Sequence, residues 1–192
     1  MVVATLLLIL ILPLMCLCAL AVIGTSRGPL LFRHARIGRR GELFQCLKFR
    51  TMIQDADRSI EDILSRSPQR RDEWEALHKL HGDPRVTRVG AFLRRYCLDE
   101  LPQLFNVLAG EMSIVGPRPI VTAETERYGT NFSLYCSVRP GLTGLWQISG
   151  RHRLSYPERV ELDATYARSR SLSMDVAILV RTIPVVLMGA NE

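Results

Sequence analysis

The chain lacks the spacings that usually announce metal or redox chemistry. Its five cysteines form neither a zinc pattern nor a Cys-x-x-Cys pair: Cys16 and Cys18 sit in an apolar segment, and Cys46, Cys97 and Cys136 are scattered. They read as free, mostly structural thiols of a reducing compartment, and nothing near Cys97 activates it. His34, His78, His81 and His152 show no ligand spacing, which leaves surface or supporting roles. Internal repeats, low-complexity tracts and domain linkers are absent too, so the chain reads as one domain plus an anchor.

Charge is missing altogether from residues 1 to 23. As a straight helix this segment is about 34 Å long, enough to span a bilayer. A secretory signal is not expected, because its start carries no Lys or Arg and no clean small-residue cleavage site precedes the next charges. Pro13 removes a backbone hydrogen bond in mid-segment, so a bend is expected there, as in a helix that turns back to the side it entered from. Arg27, Arg33, Arg36, Arg39 and Arg40 follow at once. Such a cluster marks a cytoplasmic side and attracts anionic lipid. The formal net charge is +6, but no nucleic-acid module accompanies it, so a membrane and an anionic substrate are the expected partners.

Leu30 to Thr51 reads as short strands around an Arg39-Arg40-Gly41-Glu42 turn, with Leu43, Phe44, Leu47 and Phe49 as core candidates. Lys48 and Arg50 suit either a solvated strand face or a phosphate. From Gln54 to His81 the pattern is helical and peripheral, with Ile60, Ile63 and Leu64 on one stripe, a break at Pro68, and Trp74, Leu77 and Leu80 on the next. Gly90 to Tyr96 predicts a short helix. Pro140, Gly141 and Gly144 predict a tight turn before Leu145 and Trp146, with Trp146 either core or interface anchor. The apolar run Met174 to Met188 contains Arg181 and Pro184. Spanning a membrane would bury that arginine at considerable cost, so the run reads as an interfacial helix or one packed on the domain.

Residues 98 to 119 are the most informative. Leu101, Leu104, Phe105 and Leu108 recur at helical spacing, and Pro102 is tolerated only in a first turn, which predicts a helix starting at or just after Asp99. Asp99 and Glu100 then sit at its positive end, where anions are favoured. One carboxylate can hold a divalent cation there while the other attacks phosphorus. On spacing alone the commoner use is capping, with Asp99 as N-cap and Glu100 in the first turn. Further on, Ser113-Ile114-Val115-Gly116-Pro117-Arg118-Pro119 holds an arginine between two prolines.

Leu98-Asp99-Glu100-Leu101-Pro102-Gln103 followed by Gly110-Glu111-Met112 and the Ser113 to Pro119 run closely resembles the bacterial sugar transferase family, the small monotopic polyprenol-phosphate phosphoglycosyl transferases. The resemblance continues upstream in Arg36-Ile37-Gly38, Lys48 to Met52, Asp83 to Thr87 and Gly90 to Arg95. Downstream it runs through Arg139 to Gly144 and Gln147 to Arg151, and so covers nearly the whole chain. Within the family the wording is closest to exopolysaccharide galactose- or glucose-phosphate transferases.

The resemblance implies a mainly helical α+β fold, monotopic at the cytoplasmic face of a bacterial inner membrane. Residues 1–26 would be a re-entrant helix penetrating one leaflet, and residues 27–192 a compact catalytic domain ending in an interfacial helix. It implies transfer of hexose-1-phosphate from a UDP-sugar to polyprenyl (undecaprenyl) phosphate with Mg2+, releasing UMP, as the first step of exopolysaccharide repeat-unit assembly. By matched position Asp99 would be the nucleophile and Glu100 the metal ligand. Arg94, rather than its neighbour Arg95, and Arg118 would neutralise phosphate oxygens, with Pro117 and Pro119 stiffening the loop. Lys48, Arg139 and Arg151 would serve the nucleotide or the acceptor phosphate, and downstream glycosyltransferases would be neighbours.

Two departures concern the anchor. Leu12, not a serine, precedes Pro13, and the family's opening basic-aromatic stretch is missing. Either the start lies downstream of the natural one or the anchor is altered. The rival expectations are a non-catalytic membrane scaffold, which has no need of Asp99, Glu100 and Arg118 together, and a phosphohydrolase with the same first half-reaction.

Overall fold

The computed structural model describes residues 2–77, 80–150 and 154–189. Helix α1 (Val2–Thr25) is apolar all round, and its two faces have different neighbours. Ala4, Leu8, Ile11, Met15, Cys18 and Val22, three or four residues apart, form a stripe that packs on the rest of the chain. Ala4 belongs with Phe44, Cys46, Val107 and Met112, whereas Met15, Cys18 and Val22 belong with Phe49 and Leu93. Both ends of the helix are thereby seated on one body. At roughly 1.5–3 kcal/mol per fully buried large apolar side chain, the stripe is a substantial attachment. Leu6, Ile9, Leu10, Leu17, Leu20 and Ile23 lie exposed on the other face. Pro13 is exposed too, and the helix continues through it rather than breaking. Among the described residues α1 alone is long and apolar enough to cross a membrane, by length and composition.

Strands β1 (Leu31–Ile37) and β2 (Leu43–Phe49) form the expected antiparallel hairpin, Leu31 opposite Phe49 and Ile37 opposite Leu43. Phe44 and Phe49 are buried and Leu47 half-buried, but Leu43 is 64% exposed. Leu43 begins its strand and, by the two-residue repeat, lies on the opposite face from the core-facing Phe44 and Cys46. Arg50 donates to the Ser26 carbonyl at 2.7 Å, to Ser26 Oγ at 3.0 Å and to the Pro29 carbonyl, so it locks the junction between α1 and β1.

Helices α2 (Ala56–Ser65) and α3 (Pro68–Leu77) form the peripheral excursion, Pro68 opening the second. The return is pinned by the buried Asp83–Arg85 pair, at 2.6 Å, with the Arg85 guanidinium 5.3 Å from the Trp74 ring centroid. Helix α4 (Arg88–Arg95) starts with Thr87 Oγ1 accepting the Gly90 N–H at 2.9 Å. After α5 (Gln103–Leu108), β3 (Ser113–Val115) pairs in parallel with β4 (Gly141–Thr143). The turn expected at Pro140 to Gly144 is therefore mostly strand. Close approach explains the glycines: a Cβ on Gly144 would lie 2.0 Å from the Gly116 carbonyl oxygen, and one on Gly116 2.4 Å from that of Arg139. Two glycine-proline motifs distant in sequence thus pack backbone to backbone.

Helices α6 (Thr125–Tyr128), α7 (Phe132–Ser137) and α9 (Tyr156–Ser169) surround a core of Ile37, Ile120, Tyr128, Tyr135 and Val160, and α8 (Leu145–Ile148) buries Trp146, which settles as core. Helix α10 (Leu172–Leu187) packs Ile178 against Val115 and Tyr166, while Thr182 bonds Thr143 at 2.8 Å. Its outer stripe, Leu172, Val176, Val180, Ile183 and Leu187, is exposed, as is Arg181. The architecture is a mostly helical α+β domain with two small sheets.

Candidate active site

The acid pair owes its position to a strained residue. Cys97, two residues past the end of α4, has φ at 55°, a left-handed conformation that costs a non-glycine residue about 1–2 kcal/mol. The chain then tightens into a single 3-10 turn, Leu98–Glu100, closed by Glu100 N–H to Cys97 O at 3.2 Å and Leu101 N–H to Leu98 O at 3.3 Å. Helix α5 consequently begins at Gln103, later than expected, with Pro102 just before it and no side-chain cap. Asp99 does not cap this helix: it turns inward and is 8% exposed.

Cations from three other elements line the same cavity as Asp99. From β2, Lys48 Nζ lies 2.6 Å from Glu100 Oε1 and 4.0 Å from Asp99 Oδ2. From α4, Arg94 reaches inward with its Nε donating to Thr51 Oγ1 at 2.9 Å. From the loop after β3, Arg118 lies with its guanidinium 5.5 Å from the Trp146 ring centroid. Pro117 and Pro119 are buried on either side, the first accepting from Gly141 N–H at 2.8 Å and the second from Arg36 Nη1 at 3.1 Å. Burial pushes the Asp99 carboxyl above the ordinary aspartate range; Lys48 pulls it back, Glu100 pushes it up again, and Arg94 lowers it.

Lys48, Arg94, Asp99, Glu100 and Arg118 share one cavity of about 900 Å³. Arg139 does not join them: its side chain is exposed and does not line the cavity, and its carbonyl packs on Gly116. Arg151 lies outside the described residues. His34 and Arg36 also line the cavity. His34 Nδ1 accepts from Arg36 Nη2 at 3.2 Å, because a guanidinium can only donate. Burial, then the Arg36 and Lys48 charges, lowers the His34 pKa and favours the neutral ring. The signal for both was the two-residue repeat of β1, which puts Phe32, His34 and Arg36 on one face with Phe32 opposite Lys48.

Away from the charges the wall is apolar, with Leu7 from α1, Leu179 and Val186 from α10, and Ile114 and Leu142 between. Such a cavity suits an amphiphile, with phosphate at one end and hydrocarbon at the other.

The model of the family described as bacterial sugar transferase matches residues 1–189. An "Undecaprenyl-phosphate galactose phosphotransferase" of Salmonella typhimurium is 50% identical over 160 residues, 83% of this chain and 34% of that protein. An "Uncharacterized sugar transferase" of Haemophilus influenzae is 53% identical over the same share of each chain. The "Exopolysaccharide production protein ExoY" of Rhizobium meliloti is 47% identical over 189 residues, 98% of this chain and 84% of that one. The chain spans about a third of the length of the first two relatives. A match that runs from the first residue nearly to the last settles the kinship: this chain belongs to the bacterial sugar transferase family.

Proposed function

We propose that this protein transfers hexose-1-phosphate, galactose or glucose, from a UDP-sugar to undecaprenyl phosphate as the first step of exopolysaccharide assembly. Asp99 carries this reading, as a buried carboxylate among Lys48, Arg94 and Arg118 in a cavity whose far wall is apolar. An Asp99 carboxylate oxygen attacks the β-phosphorus of the UDP-sugar, and the bond from that phosphorus to the bridging oxygen breaks, so UMP leaves. A phosphate oxygen of undecaprenyl phosphate then attacks the same phosphorus and expels Asp99. Arg94 and Arg118 hold the phosphate oxygens through their planar forks, while Lys48 stands between the acids and the incoming charge.

Magnesium suits the residues present. Mg2+ is commonly held by one or two carboxylates together with waters and substrate phosphates. Glu100 and Asp99 provide such a pair beside the phosphate-binding cations, whereas among the described residues no cluster of three or more acidic, His or Cys side chains makes a cage. Glu100 is the ligand in this scheme, and the ion when bound supplies charge neutralisation at the phosphate oxygens.

The membrane arrangement in this reading rests on α1. Its covered stripe stays on the domain at both ends, and its uncovered face, with the outer stripe of α10, meets lipid. Both ends of α1 then remain on one side, as a helix penetrating a single leaflet requires. We place that side at the cytoplasmic face of the inner membrane, where the arginine cluster after α1 meets anionic lipid.

Membranes incubated with a panel of UDP-sugars and undecaprenyl phosphate should yield lipid-linked sugar diphosphate and UMP. Free sugar phosphate in place of the lipid product would mean that water is the acceptor, and the protein a hydrolase.

Glu100→Gln keeps the shape of the side chain but weakens its metal binding, so it should lower turnover about tenfold or more and raise the magnesium concentration needed for half-maximal rate. An unchanged magnesium titration would reassign Glu100 to structure.

Lys48→Gln tests the electrostatics through pH. The nucleophile works ionised, so rate is lost as pH falls through the Asp99 pKa, and removing the Lys48 charge removes the largest influence lowering that pKa. The acid limb of kcat/KM should therefore move to higher pH in the variant. A limb that stays put would show that Lys48 does not govern Asp99.

A further inference from the structure

The side chains of Arg36 and Glu124 take no part in the reaction above, yet together they hold the loop that carries Arg118. Arg36 belongs to the Arg36-Ile37-Gly38 motif at the end of β1 and lines the cavity.

Arg118 stands between two prolines, and a proline offers the backbone only its carbonyl. Both prolines are buried, so each carbonyl needs a partner inside the fold. The Pro117 carbonyl takes the Gly141 N–H of β4 at 2.8 Å. The Pro119 carbonyl takes a side chain instead, Arg36 Nη1 at 3.1 Å. The other edge of the same peptide group, the Ile120 N–H, donates to the buried Tyr135 hydroxyl at 3.3 Å, which in turn donates to the Ile37 carbonyl at 2.6 Å. Ile37 N–H closes the link to the Ile120 carbonyl at 2.9 Å. The proline rings fix φ near about −65° on either side of Arg118, and Pro119 also restricts the ψ of Arg118. With the carbonyls before and after it held, the direction in which the Arg118 side chain leaves the backbone is set.

The Arg36 guanidinium is itself clamped. Nη2 donates to His34 Nδ1 at 3.2 Å, and Nη1 lies 3.8 Å from Glu124 Oε2. Glu124, in the turn before α6, also accepts the Val121 N–H at 3.0 Å, the Tyr156 hydroxyl at 3.1 Å and Arg159 Nη1 at 3.2 Å. A guanidinium donates in several directions from one plane, so Arg36 joins the loop, its own strand and Glu124 at once.

We propose that Arg36 is a positioning residue for Arg118: it fixes the Pro119 carbonyl, with Glu124 holding it in place, so that the loop presents Arg118 to phosphate at the Asp99 site. The inference rests on the phosphate-binding role given to Arg118 above and adds a support to it.

Double-mutant cycles with Arg118→Ala separate positioning from direct contact and from general stabilisation. Arg36→Met keeps the stem and removes the donors, and Glu124→Gln keeps the size and an acceptor but removes the charge that faces Arg36. Each is read on kcat/KM for sugar-phosphate transfer and on the dissociation constant for UDP with Mg2+. In the parent, Arg36→Met should lower transfer about tenfold and weaken UDP binding several-fold, and Glu124→Gln should cost about threefold in each. In Arg118→Ala every one of these changes should shrink below about twofold. Arg36 lines the cavity but Glu124 does not. A phosphate contact made by Arg36 itself would therefore leave the Glu124→Gln loss intact in Arg118→Ala, and that result overturns the proposal. Parental values in the single variants, or equal losses in both backgrounds, overturn it as well. If Arg36→Met does not fold, the Glu124→Gln cycle decides alone. Coupling in UDP affinity with no lipid-linked product overturns the transferase reading and upholds this one; lipid-linked product with uncoupled losses does the reverse.

Discussion

Burying the Asp99 carboxylate while keeping it available as an anion is the constraint on which the arrangement of this domain turns. A carboxylate taken out of water drifts towards its neutral form, and a neutral acid is a poor nucleophile. The chain answers with charges brought from separate elements. The hairpin delivers Lys48 and α4 delivers Arg94, both of which favour the anion, and the loop after β3 brings Arg118 to the same cavity. None of these lies within four residues of Asp99, so the site exists only once hairpin, helix and loop are docked. The backbone approach of Gly116 to Gly144 and the left-handed turn at Cys97 are features with a local cost whose return is this convergence.

The same docking gives the cavity its two characters. Cations gather where the hairpin meets the acid turn, and the apolar wall comes from α1 and α10. Because α1 is apolar on both faces, one face seats on the domain while the other stays exposed. Helix α10 divides its faces similarly, with Ile178 inward and the Val176, Val180 and Ile183 stripe outward. The proposed reaction, which joins a water-soluble sugar nucleotide to a lipid phosphate, calls for such a boundary beside Asp99.

Much of the site was legible in the sequence because it is written in contiguous motifs. Asp99, Glu100, Arg94, Arg118 and Lys48 stand in stretches that resemble the family's motifs, and the structure brings all five to one cavity. What was not legible depends on geometry between motifs. Arg139 looked like a phosphate ligand, yet its motif packs by backbone on Gly116 and leaves the side chain outside. Lys48 and Arg50 read alike in sequence and both line the cavity, but Lys48 pairs with Glu100 whereas Arg50 is tied to Ser26 and Pro29 at the junction of α1 and β1. Helix periodicity placed the start of α5 too early, because a positive φ at Cys97 has no sequence signature when the residue is not glycine.

The central claim is that Asp99 carries the sugar phosphate between donor and acceptor, and the intermediate itself is the most direct test. Purified protein is incubated with Mg2+ and the UDP-sugar it uses, without undecaprenyl phosphate, and then examined by intact-mass and peptide mass spectrometry. The account predicts a mass gain of one hexose phosphate on the peptide containing Asp99, discharged when undecaprenyl phosphate is added and absent from Asp99→Asn. Lipid-linked product from an enzyme that never carries the adduct, with turnover preserved in Asp99→Asn, would contradict it.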